Sequence, residues 1–152
     1  MKNLLVLMGI FILLGLTGCA TTGSSGPWTP LPEPGTVSAI NVILPGPEVP
    51  PEIAAYSGIW EGTFDGASAA TIIVEQITPP KVVAIYSWGP GSNYIGGWTR
   101  VIGRVERDSV VLVWGQPERV VTLKINPQKR NLATAEYTRG GSVLRAALFR
   151  KE

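Results

Sequence analysis

The sequence predicts an all-β fold, a small eight-stranded antiparallel up-and-down barrel. Three observations lead there. From Ile53 onward, short runs rich in β-branched and aromatic residues alternate with turn signals. The connections between the runs are short, and short connections join antiparallel neighbours, because parallel strands need long crossovers. Glycine (18) and proline (13) are abundant, and no helix-length 3.6-residue pattern occurs beyond the first apolar segment.

The eight expected strands are Ser57–Phe64, Ala70–Ile77, Val82–Trp88, Trp98–Glu106, Val110–Trp114, Arg119–Ile125, Leu132–Thr138 and Ser142–Arg150. Turn chemistry separates them: Asp65-Gly66-Ala67-Ser68, Thr78-Pro79-Pro80, Arg107-Asp108, Gly115-Gln116-Pro117-Glu118, Asn126-Pro127-Gln128-Lys129 and Arg139-Gly140-Gly141. The longest connection is the Gly-rich stretch 89–97. Alternation puts Gly58, Trp60, Gly62 and Phe64 on one face of the first strand, and Leu144, Ala146, Leu148 and Arg150 on one face of the last. Glycines two residues either side of Trp60 leave it room to lie flat across an interior. If the first and last strands close the barrel, Trp60 and Arg150 meet at one end, where a guanidinium can stack on the indole and plug it.

Upstream lies a different kind of chain. Residues 20–52 hold eight prolines, three acids and no base. Such a stretch favours extended polyproline II over a packed core, so it reads as a spacer. An apolar island, Val37 to Leu44, interrupts it. That island either docks on the domain or serves as a strand for a partner's sheet edge. The expected organisation is a leader at 1–18, a tether at 19–52 and a barrel at 53–152.

Composition narrows the chemistry. There is no histidine, which removes the commonest general base and transition-metal ligand. The single cysteine is Cys19. A net charge of +2 gives no footprint for nucleic acid. No Gly-rich phosphate loop leads from a strand into a helix, so nucleotide binding has no support. The expectation is no cofactor, no metal and no catalysis.

The start of the chain resembles a bacterial lipoprotein signal. Lys2 supplies a positive charge, and Leu4 to Leu14 is apolar apart from Gly9. That run is shorter than the ~20 residues a membrane span needs and has secretory length. Leu16-Thr17-Gly18-Cys19 then matches the lipobox. The resemblance implies cleavage before Cys19, a diacylglyceryl group on its thiol and an acylated (palmitate-type) amine, hence a membrane anchor in the cell envelope. Ala20, not Asp, follows the cysteine, which implies release across the periplasm to the outer membrane in a Gram-negative host, on a face the sequence leaves open.

The barrel resembles the calycins, the lipocalin and avidin-like proteins. Gly58-Ile59-Trp60 matches their first-strand Gly-x-Trp, and Arg150 matches the late arginine that lipocalins pack on that tryptophan. The resemblance covers about residues 56–151. It implies non-catalytic binding of a small apolar or sugar-like ligand at the open end, with a small cavity at most.

Within that frame, Trp88, Asn93, Tyr94 and Trp98 are the ligand-binding candidates, since aromatics beside a flexible polar loop can clamp a sugar face. A cross-strand Trp88–Trp98 pair stabilising the hairpin is the other reading. Glu61, Asp65 and Glu75 fall near one another if the first two strands pair, but Glu61 and Glu75 alternate outward, where carboxylates are solvated. Arg100 and Arg104 share a face, and Arg119 and Lys124 extend this into a basic outer stripe suited to anionic glycan or to a plain soluble surface. The rival function is a structural or protein-interaction module, such as an inhibitor of an envelope enzyme.

Overall fold

The computed structural model describes residues 40–65, 68–92 and 95–152. Cys19, the leader and residues 20–39 lie outside them, as do Asn93 and Tyr94. A four-residue helix, α1 (Pro51–Ala54), precedes β1 (Gly58–Phe64), β2 (Ser68–Thr78), β3 (Lys81–Trp88), β4 (Gly97–Glu106), β5 (Ser109–Trp114), β6 (Arg119–Ile125), β7 (Leu132–Arg139) and β8 (Ser142–Lys151). Each strand pairs antiparallel with the next, and β1 pairs with β8 to close the barrel. No strand end lies more than two residues from its sequence expectation.

Alternation sorts the side chains as expected for a barrel whose interior is the core. Trp60, Ile72, Val74, Val82, Val110, Leu112, Val121, Leu123 and Leu148 have no exposed surface. A side chain with none touches no water-sized void, so the middle of the barrel is filled. Outward positions carry Arg100, Arg104, Lys124, Glu136, Arg145 and Lys151. An apolar interior with a charged exterior is the inverse of an outer-membrane barrel.

Closure follows the register Trp60↔Arg150, Gly62↔Leu148 and Phe64↔Ala146. Gly62 is there for a different reason from the one its spacing suggests. A Cβ at that position would sit 2.1 Å from the Ala147 carbonyl oxygen, so the glycine permits β1 and β8 to approach. At the β7–β8 turn, Gly140 and Gly141 both have positive φ, as a two-residue hairpin loop of the primed type requires.

We call the end where β1 begins and β8 finishes the base. Trp60 donates its indole N–H to the Tyr56 carbonyl at 2.9 Å. The Arg150 guanidinium carbon lies 5.7 Å from the Trp60 ring centroid. Its Nη2 donates to the Ser57 carbonyl at 2.6 Å and its Nη1 to the Ala55 carbonyl at 3.3 Å. The Tyr56 hydroxyl donates to the Asp108 carbonyl and accepts from the Ile125 N–H. Burial pushes the Tyr56 pKa up, against that last hydrogen bond.

The chain before α1 also packs on the barrel. Val49 and Ile53 belong to the core, at 4% and 7% exposure. A β-bulge between Val74 and Gln76 makes Glu75 the extra residue of β2. The Glu75 carbonyl accepts from the Ile43 N–H at 2.7 Å, and its carboxylate accepts from the Asn41 N–H and twice from Arg100. Glu75 is therefore buried, at 5% exposure, not solvated as its alternation predicts. The part of the apolar island from Ile40 to Leu44 lies at this bulge; Val37 to Ala39 fall outside the described residues.

Candidate functional site

The other end is the mouth. Strands β1, β3, β5 and β7 run toward it, and each brings an inward aromatic to its last turns: Phe64, Trp88, Trp114 and Tyr137. Tyr86, one inward step below Trp88, sits among all four. Its ring centroid lies 5.6 Å from Trp88, 5.1 Å from Trp114, 6.1 Å from Tyr137 and 6.5 Å from Phe64. Aromatic pairs at such distances each contribute about 0.5–1.5 kcal/mol beyond burial. Tyr86 and Phe64 are buried, whereas Trp88, Trp114 and Tyr137 are only half-buried. The mouth is thus a floor of aromatic rings with three partly accessible edges.

The register separates the two tryptophans that flank the Gly-rich loop. Trp88 pairs with Gly97, and Trp98 pairs with Ser87. Trp88 therefore faces inward while Trp98 lies on the outer face. They form neither a cross-strand pair nor a clamp. The Trp88 indole N–H donates to the Ile95 carbonyl at 3.1 Å, tying the loop to the end of β3. Asn93 and Tyr94 belong to the undescribed part of that loop.

The three carboxylates are not brought together. Glu61 accepts from Lys151 at 3.1 Å on the outer face. Asp65, at the mouth end of β1, accepts from the Arg145 N–H at 2.9 Å. Glu75 lies past the opposite end of β1, since Gly58 pairs with Val74. A hairpin of this length separates Asp65 from Glu75 by roughly 25 Å. Among the described residues no group of three potential metal-ligating side chains converges.

The outer basic stripe is also redistributed. Arg100 pairs with Glu75, Arg104 with Glu106 and Lys124 with Asp108. The Lys124 hydrogen bond holds the Asp108 carboxyl below its ordinary range, and Asp108 in turn raises Lys124. Glu75 likewise raises Arg100. Arg119 does not join this set, because it shares the inward phase of Val121 and Leu123 at the mouth.

Sequence reasoning missed Trp114, Tyr137, Tyr86 and Phe64 as one site. The signal was present: the strands that run toward the mouth each end in an inward aromatic. No family model, curated protein or solved structure matches this chain.

Proposed function

We propose that this is a lipid-anchored envelope protein, held at Cys19, whose calycin-like barrel binds a small sugar-like ligand at its mouth without catalysis. The aromatic floor carries this reading. Half-buried Trp88, Trp114 and Tyr137 offer flat, partly hydrated surface of the kind that stacks on sugar rings. A filled interior argues that the ligand rests on the mouth and is not swallowed, so a wholly apolar ligand fits less well than a ring with polar edges.

The test is native mass spectrometry of the protein purified from its host, followed by ligand-observed NMR with the retained molecule. Binding that weakens at least tenfold in Trp114→Ala, with folding intact, supports the reading. Binding unchanged by Trp114→Ala overturns it.

The filled interior also supports a second reading, a protein partner seated on the mouth, such as an envelope enzyme that the barrel inhibits. Ile95, 69% exposed in the mouth loop, favours it. A stoichiometric protein recovered by crosslinking at Ile95, with no small molecule retained, would select this reading over the first.

A further inference from the structure

Two arginines stand at the mouth, directly opposite one another. Arg119 opens β6, Arg139 closes β7, and the register pairs them. Each continues the inward row of its strand, Arg119 before Val121 and Arg139 after Tyr137. Arg119 is also the cross-strand partner of Trp114. Its guanidinium lies over the β5–β6 turn, since a Cβ at Gly115 would come 2.7 Å from Arg119 Nη1.

Like charges directly opposite in a sheet are about 4.5–5.5 Å apart at Cβ and destabilise it. On the outer walls and at the plug, Arg100, Arg104, Lys124 and Arg145 each meet a carboxylate and Arg150 meets two carbonyls, whereas Lys81 and the base-turn cations Arg107, Lys129 and Arg130 have no ion pair among the described residues. Among the described residues, neither Arg119 nor Arg139 has an ion pair or a hydrogen-bonding acceptor. The nearby acids do not serve. Glu118 sits in the β5–β6 turn and pairs with neither arginine, and Asp65 accepts from the Arg145 N–H. Two planar guanidinium forks beside an aromatic floor are suited to bidentate capture of a carboxylate or phosphate on a ring that stacks on the rings below.

We infer that the mouth selects an anionic sugar, with Arg119 and Arg139 gripping its oxyanion while Trp114 and Tyr137 support the ring. This rests on the mouth as the binding site and adds the charge class of the ligand. The oxyanion has two natural sources, a soluble acidic oligosaccharide or the headgroup of an anionic glycolipid.

The experiment uses the mature chain without its lipid. Trigalacturonic acid and its fully methyl-esterified, neutral form are titrated by calorimetry, and flotation is measured with phosphatidylcholine vesicles containing or lacking a phosphorylated glycolipid. The acid should bind at least tenfold tighter than the ester, and the preference should shrink as salt is raised. In Arg119→Gln/Arg139→Gln the preference should fall to about one, while the control Arg107→Gln, at a base turn, keeps it. The double variant's urea midpoint should be unchanged or higher, because a repulsion is removed. Preferential flotation with the glycolipid, without binding of the free acid, assigns the headgroup as the source.

Equal binding of acid and ester overturns the charge selection and leaves the aromatic mouth standing. Absence of binding in every arm overturns both. A lowered urea midpoint in the double variant also counts against the proposal, because it would make the pair a structural element.

Discussion

Replacing Trp60 with alanine should be the most damaging single change at the base. The indole is completely buried, spans the lower barrel, donates to the Tyr56 carbonyl and lies under Arg150. Deleting a buried tryptophan side chain typically costs about 3–5 kcal/mol, from lost transfer free energy and an incompletely collapsed cavity. The closed ladder around Trp60 limits collapse, because its neighbours Ile72 and Arg150 are fixed by backbone pairing on both sides. The upper half of that range is therefore expected. For a domain of this size in urea, where the slope is roughly 1–1.5 kcal/mol per molar, the midpoint should fall by about 3 M. Trp98→Ala provides the contrast: Trp98 is half-buried on the outer face and should cost about 1 kcal/mol. Urea melts followed by far-UV circular dichroism decide the matter. A Trp60→Ala midpoint within 0.5 M of wild type, as an order-of-magnitude margin, or a Trp98→Ala protein that fails to fold, would refute the division between a structural base and a binding mouth.

Other outcomes follow from the same geometry. Arg150→Lys should destabilise by about 1 kcal/mol, because an ammonium cannot reproduce the fork that reaches the Ala55 and Ser57 carbonyls; equal melts would refute this. Ser57→Ala should leave stability unchanged or raise it by about 1 kcal/mol, since the Ser57 hydroxyl is buried with no hydrogen-bond partner among the described residues, and a clear loss would show that the hydroxyl has an acceptor. The raised Tyr56 pKa confers stability that is present below about pH 10 and lost as the pH climbs through the folded value; wild type should therefore lose more of its urea midpoint between pH 8 and 11 than Tyr56→Phe does. A chain starting at Pro51 should melt several degrees below one starting at Ile40, because it lacks buried Val49 and the backbone donors to Glu75; coincident melts would show that the segment contributes nothing. Finally, Cys19→Ser should abolish palmitate labelling in cells, and equal labelling would end the lipid-anchor reading.

The strands were legible because alternation, turn residues and spacing all point the same way, and a closed barrel gives each strand an inward face to satisfy. What alternation could not show was where it breaks. The bulge at Glu75 adds a residue to β2, and nothing in Val74-Glu75-Gln76 marks it in advance. Its burial depends on Asn41, Ile43 and Arg100, all distant in sequence. The Pro-rich composition around residues 40–50 reads as spacer, and only tertiary contact places Val49 in the core. The site was half legible. Trp88 lies at the mouth, but grouping it with Trp98 followed their nearness to one loop; the register is odd where a pair would need it even. Grouping Arg119 with Lys124 made the same error in reverse. Five residues apart on one strand, they face opposite ways.

The proposed division of stability at one end from binding at the other is intelligible in energetic terms. Among the described residues, the buried polar side-chain atoms of the plug are answered with one exception: Arg150 reaches two carbonyls, the Trp60 indole meets Tyr56, and the Tyr56 hydroxyl meets Asp108 and Ile125. Ser57 is the exception. The chain also enters there, through Val49, Ile53 and α1, so the packed segment before β1 reinforces the plug. With that end so heavily tied, the mouth can carry features that weaken a fold: half-exposed rings, and two arginines facing each other across β6 and β7. Local choices that conflict with stability concentrate where a protein does its work and are offset elsewhere. The described chain enters at the base, so the conflicted end is the one opposite its entry, as the proposed anchor at Cys19 and binding at the mouth would require.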